Sequence, residues 1–312
     1  MGQLIVRRLI SLVFVILGIT FLTFIVGYLA PGDPIRVMMG PRRDEQIYAN
    51  LRHLYGLDQP WHVQYVQYVS GLLRGDLGLS YRYQGRPVGE ILGHGVWVSV
   101  KLGGAALLLS LAIGIPAGIF SALRQDTWLD RVNMALMLAL FSIPSFVLIP
   151  VLRALNFFLL YKNDLPALPA AGWGRPAHWV MPVLVLAAAN VGYLARLTRS
   201  SLLEVLRQDY IRTAHAKGLR PRRITYVHAL RNALLPIVTV IGPSLAFLVT
   251  GAFVVESLFA IPGVGFIAVQ AIGQRDYPVI QGATVILATA VVLMNLLTDI
   301  AYSLLDPRVR VS

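Results

Sequence analysis

The chain has 312 residues, 56% of them hydrophobic and only 13% charged, with 27 Lys and Arg against 15 Asp and Glu for a net charge of +12. A soluble domain typically has about 25% charged residues, so a soluble domain is excluded; the lack of cysteine also removes disulfides, thiolate catalysis and zinc–thiolate sites. The basic excess has no nucleic-acid-binding motif beside it, and is read as positive-inside topology with anionic lipid headgroups as neighbours.

A helix needs about 20 apolar residues to cross the hydrocarbon core. Six stretches free of Asp, Glu, Lys and Arg meet that length, at residues 9–30, 102–123, 132–152, 177–195, 232–255 and 277–298. They predict an all-α polytopic membrane protein with six transmembrane helices, since lipid offers the backbone no hydrogen-bond partner. The first follows Arg7-Arg8, and no small-residue cleavage site precedes Pro31-Gly32-Asp33-Pro34, so it is read as a retained helix rather than a signal peptide. That places the N-terminus in the cytoplasm, and six crossings return the C-terminus there.

Residues 31–96 read as an excursion on the outer side. Ile47, Leu51, Leu54 and Tyr55 at helical spacing predict a short amphipathic helix over 44–55. Residues 61–73, with Tyr65, Tyr68 and Leu72, suit a second helix at the membrane interface. Gly75-Asp76-Leu77-Gly78 and Gly85-Arg86-Pro87 are turns. Pro116, Pro144, Pro150, Pro182, Pro236 and Pro243 lie in or at the ends of the later spans, where bundled membrane helices tolerate them.

Between spans four and five the chain carries Arg196, Arg199, Arg207, Arg212, Lys217, Arg220, Arg222, Arg223 and Arg231 against only Glu204 and Asp209. This is the inward loop by the positive-inside rule. Leu202, Leu203, Leu206 and Tyr210 extend a helical period out of span four, and Gly218 can end a helix in the left-handed conformation. Residues 220–230 read as a second short basic helix with Pro221 in its first turn. A rigid elbow tied to two spans is a suitable lever for a partner; an ordinary basic loop on lipid headgroups fits the spacing equally well.

The sequence lacks a G-x-x-x-x-G-K-[ST] loop, a G-x-S-x-G elbow and an H-E-x-x-H pair. His53, His62, His94, His178, His215 and His228 form no helical pair, so neither a catalytic nor a metal site is expected. Glu256 and Asp299 fall at the ends of spans five and six, where water and local ion pairing are expected. Asn190, Ser244 and Asn295 are polar positions inside spans and candidates for a transport pathway, although helix–helix hydrogen bonds explain them equally well.

Thr213-Ala214-His215-Ala216-Lys217-Gly218-Leu219, followed by His228-Ala229-Leu230-Arg231-Asn232-Ala233-Leu234-Leu235-Pro236, resembles the EAA loop of ABC importer permeases. The version is that of the dipeptide/oligopeptide (and nickel) branch, most of all the oligopeptide permeases. The likeness continues through Ala30-Pro31-Gly32-Asp33-Pro34, Gly75-Asp76-Leu77-Gly78, Leu197-Thr198-Arg199-Ser200-Ser201-Leu202, Ile261-Pro262-Gly263-Val264-Gly265, Arg275-Asp276-Tyr277-Pro278 and Asp306-Pro307-Arg308. Thr213 replaces the acidic first position of the general pattern, and His215 stands where the branch often has Arg.

The resemblance implies a type I ABC importer permease fold in a bacterial inner membrane. Residues 1–30 would form the first helix, 31–96 an extracytoplasmic segment, 97–306 the permease core with its coupling loop at 200–231, and 307–312 a cytoplasmic tail. It implies a peptide substrate and, as partners, a homologous second permease, two ATP-binding subunits and an external solute-binding protein. ATP and Mg would sit on those subunits, leaving this chain without a cofactor and not itself an enzyme. Ala214, Ala216 and Gly218 would allow a tight dock on the ATPase, with Thr213 and Leu219 in the same motif and His215, Lys217, Arg220 and Arg222 offering polar contacts. The alternative is an ion-gradient-driven secondary transporter or channel subunit, which expects ionisable residues at mid-membrane.

Overall fold

The computed structural model describes residues 2–40, 44–83 and 85–305. Arg42, Arg43, the Asp306-Pro307-Arg308 motif and the tail expected at 307–312 lie outside the described residues. In chain order the helices are α1 (Gly2–Leu29), α2 (Pro34–Met39), α3 (Glu45–Leu54), α4 (Trp61–Leu73), α5 (Val88–Leu123), α6 (Trp128–Ser142) and α7 (Ser145–Leu159). There follow α8 (Ala177–Leu206), α9 (Asp209–Ala216), α10 (Pro221–Arg223), a π-helical segment Ile224–Ala229, α11 (Leu230–Ala233), α12 (Leu235–Leu258), α13 (Val264–Gln274) and α14 (Tyr277–Leu305). Among the described residues, five stretches are long and apolar enough to cross a membrane: Ile10–Leu29, Val88–Leu123, Ser145–Asn163, Ala177–Leu206 and Tyr277–Ile300. Pro221–Ala233 and Leu235–Ala246, bent by 49°, make a sixth if taken as one broken span.

The expected third span at 132–152 is corrected: the chain breaks there into α6 and α7. Ile143 is extended (ψ 118°) and Pro144 follows it. Proline disfavours helical geometry in the residue before it, and here the break is taken. Pro116, Pro182 and Pro243, by contrast, sit inside continuous helices. The second span starts earlier than expected, at Val88, and α2 and α13 are helices outside the elements expected from sequence. The basic helix expected over 220–230 is not a single α-helix, because Ile224–Ala229 winds as a π-helix. Glu256, expected near water, is fully buried. The end of α12 is covered where the Arg153 guanidinium donates to the carbonyls of Leu258 (2.7 Å) and Ala170 (2.9 Å).

The chain forms two compact units. One comprises residues 2–100 and 260–292. In it α1 meets α4 through Tyr65, whose ring packs against Phe21 and Phe24 at 5.5 and 5.4 Å. Asp33 caps α2 through the Ile35 N–H (2.9 Å) and accepts from the Tyr48 hydroxyl. Gly32 has φ +104°, and a Cβ there would lie 1.7 Å from the Arg275 guanidinium. Asp276, 2% exposed, accepts from the Ser80 hydroxyl and from the N–H groups of Tyr81 (3.0 Å) and Arg82 (3.3 Å). Burial, with that carboxylate beside it, pushes the Tyr81 phenol well above its usual range. The Ser99 hydroxyl accepts from Val264 N–H at 2.9 Å. Motifs scattered from residue 31 to residue 278 thus meet in one loop cluster.

Asp276→Asn replaces an acceptor facing three donors with a group that presents donors of its own. We expect it to destabilise this unit by about 1–3 kcal/mol, seen as faster proteolysis across residues 79–87. Unchanged cleavage would show that the carboxylate does not hold the loop.

The other unit comprises residues 101–259 and those from Leu293 on. Its core is the contact of α5 and α6 with α8. A Cβ on Gly118 would fall 2.5 Å from both the Ala195 carbonyl oxygen and Thr198 Cβ, and one on Gly114 would fall 2.9 Å from Leu194 Cβ. The pair Gly114-x-x-x-Gly118 therefore lets two backbones approach, the usual device where helices associate without a hydrophobic driving force. Gly192 does the same for α6, whose Met137 carbonyl oxygen would lie 2.2 Å from an added Cβ.

Candidate functional site: the elbow between α8 and α12

After Leu206 the chain turns at Arg207 and Gln208 and re-enters a helix at Asp209. α9 is short but two-faced. Ile211 and Ala214 are buried, whereas Tyr210, Arg212, Thr213, His215 and Ala216 are exposed. The buried face packs into a cluster with Ile119 and Ala122 from the end of α5, Leu202 from α8, Ile224 and Ala229 from the π segment, and Ala233. The elbow is therefore built onto α5, α8, the π segment and α11 of its own unit.

Its tip has a defined closure. Gly218 adopts φ +72° and donates its N–H to the His215 carbonyl at 2.9 Å, while Leu219 N–H reaches the Ala214 carbonyl at 3.3 Å. This pair of bonds is a Schellman motif, and the half-buried Leu219 supplies the hydrophobic contact that accompanies it by packing on the same cluster. Arg220 is extended (ψ 135°), Pro221 opens the next helix, and the π segment carries the chain back towards α12. Asn232 donates to the Tyr210 hydroxyl (2.8 Å), and the Ser201 hydroxyl donates to the Ala233 carbonyl (2.8 Å), so the returning strand of the elbow is tied to the outgoing one.

Of the residues singled out from sequence, Thr213, His215, Ala216, Lys217, Gly218, Arg220 and Arg222 lie together on the exposed side of this elbow. Ala214 does not: it is 8% exposed and faces the chain's own core, so its small side chain serves internal packing. Leu219 is shared between the tip and the core. Arg207, Arg212, Arg223 and Arg231 are exposed as well, so the loop as a whole is strongly basic. Asn190 is buried on α8, with an Nδ2 that finds no hydrogen-bond partner among the described residues; Ser244 is buried on α12 and Asn295 half-buried on α14.

Sequence reading overlooked Asp130. It is 2% exposed, and the Arg199 guanidinium grips it with Nε to Oδ1 at 2.9 Å and Nη2 to Oδ2 at 2.6 Å. One turn further along α6, Asn133 donates to the Ala117 carbonyl (2.9 Å) and the Ser121 hydroxyl (2.8 Å). The signal available was local: Thr127 three residues before Asp130 is a helix-start pattern. Its partner on α8 could not be read from spacing.

The fold and the elbow define a class, namely a polytopic helical membrane protein that presents a stiff basic turn between two of its spanning helices. Residues 114–311 match the family described as binding-protein-dependent transport system inner membrane component, and residues 1–87 match its N-terminal family. The chain belongs to this family. It is 41% identical to the dipeptide transport system permease protein DppB of Bacillus subtilis, over 99% of this chain and 98% of that one. It is 38% identical to DppB of Escherichia coli, covering 99% of each chain. The glutathione transport system permease protein GsiC of Salmonella typhi is 37% identical over 98% of each. Among solved structures, an inward-facing form of the MetNI methionine ABC transporter matches with a TM-score of 0.57 at 21% identity, over 69% of this chain and 96% of that one. That likeness shows a shared fold.

Proposed function

We propose that the chain is the membrane permease subunit of an ATP-driven importer of di- or oligopeptides. One observation carries the reading beyond family membership. The α9–Gly218–α10 elbow is fastened to α5, α8 and the π segment on one side and leaves Thr213, Ala216, Lys217 and Arg220 uncovered on the other. In the proposed arrangement the elbow lies on the cytoplasmic side and seats in a groove of a separate ATPase subunit. ATP and Mg are held there, and the chain contributes motion rather than chemistry. A homologous second permease completes the pathway, and an external solute-binding protein delivers the peptide.

The mechanism follows from the packing. A push on the elbow meets Ile211 and Ala214 wedged against Ile119, Ala122 and Leu202, so it displaces the ends of α5 and α8 rather than bending the loop. ATP binding then supplies the free-energy difference between two arrangements of the helices, and hydrolysis resets it.

The test is uptake of radiolabelled dialanine by proteoliposomes carrying the complete complex. Uptake should require ATP and the ATPase subunits and survive an ionophore. Uptake that persists without the ATPase subunits, or that an ionophore abolishes, would instead identify a gradient-driven transporter.

A further inference from the structure

The unit that carries the elbow also holds a buried ion pair that elbow docking leaves unexplained. Asp130 accepts both arms of Arg199 and, in addition, the Asp126 N–H at 3.1 Å. Its side chain is 3% exposed and that of Arg199 25%. A buried pair of this kind is weak evidence for stability, because desolvation offsets much of the attraction. Its position is specific. Arg199 lies on α8 one turn before Leu202, which the elbow packs against, and Asp130 lies in the first turn of α6. At the other end of the same contact, Gly192 admits the α6 backbone near Met137 and Phe141. α6 is thus gripped to α8 at both ends and ends at the Ile143-Pro144 break.

We propose that Asp130 and Arg199 are positioning residues of the transport cycle: their bidentate contact makes α6 follow α8 when the elbow is displaced. The proposal rests on the permease reading above. Displacement entering through Ile211 and Ala214 moves the end of α8, and the ion pair carries it across to α6. The Pro144 break then lets α6 turn without dragging α7.

The chain has no cysteine, so introduced thiols are the only ones it carries, and it is labelled before assembly with its partners. Spin labels at Leu136→Cys on α6 and Leu184→Cys on α8, both exposed positions, should give one narrow distance with and without trapped ATP in the complete complex. With Asp130→Asn the distance should broaden or shift in the ATP-trapped state. Dialanine moved per ATP hydrolysed should then fall about tenfold while basal ATP hydrolysis stays within about twofold. Arg199→Lys, which keeps the charge but loses the two-armed grip, should fall between. The same narrow distance in Asp130→Asn in both states would overturn the proposal. So would uptake and ATP hydrolysis falling together in proportion to assembled complex, the mark of a purely structural pair. If Asp130→Asn does not assemble, Arg199→Lys decides by the same two readouts. An unmodified complex that moves no dialanine would count against the peptide reading alone, and the distance measurement would still decide the brace.

Discussion

Gly218→Val is expected to leave the chain inserted and assembled while cutting coupled uptake more than tenfold, the largest functional effect of any single change considered. Gly218 sits at φ +72° with nothing among the described residues within 4 Å of an added Cβ, so a first side-chain carbon meets no clash there. The penalty is conformational. A left-handed geometry costs an L-residue about 1–2 kcal/mol, and a β-branched side chain is among the least tolerant of it. The tip responds by leaving that geometry, and both closing bonds, Gly218 to His215 and Leu219 to Ala214, go with it. Gly218→Asn separates the causes, because asparagine accepts the left-handed region. If backbone geometry is what matters, the Asn variant should retain most uptake. If the ATPase groove needs bare space at this point, Asn should fail as badly as Val. Full uptake and full peptide-stimulated ATP hydrolysis in the Val variant would remove the elbow from the mechanism.

Gly118→Leu is expected to have the largest effect on stability. The added Cβ alone would stand 2.5 Å from the Ala195 carbonyl oxygen. That oxygen belongs to a helix backbone and cannot swing aside, so α5 and α8 must separate over the contact that carries the elbow's support. Overpacking in a close-packed interior costs about 1–3 kcal/mol, and here the upper end applies because backbone is the obstacle. The measurement is monodisperse yield and thermal midpoint of detergent-solubilised protein. Gly104, on the same helix, has nothing among the described residues within 4 Å of an added Cβ. Gly104→Leu should therefore be neutral, within about 0.5 kcal/mol. Equal behaviour of the two variants would mean that α5 and α8 do not approach as closely as described.

These two glycines show what could be read from the chain alone. Gly218 was legible because helix-ending glycine has a local signature: a periodic helix before it and a basic, proline-opened segment after it. Gly118 was not, since a glycine inside an apolar run looks the same whether it faces lipid or another backbone. Run length and missing charge located the first, second, fourth and sixth spans, because those quantities are set by bilayer thickness and solvation. The third failed at Ile143-Pro144, where hydropathy is indifferent to whether a helix continues. α13 has 11 residues, too few for a search tuned to spans. Within the elbow, the motif grouped Ala214 with the docking residues, yet the two-faced geometry of α9 turns it inward beside Ile211. Long-range partners such as Arg199 with Asp130 leave no trace in spacing.

The segment Ile224–Ala229 has a consequence for how such a chain can change over time. A wide turn already holds one residue more than its neighbours need, and is the natural place to lose one. Excising a residue there would let the ordinary ladder resume while the turns beyond Leu230 keep their facing, because the wide turn itself takes up the surplus residue. The row of side chains that α12 presents and the tip at Gly218 would both stay as they are. The length of the link between them can thus change by a single codon without altering either end.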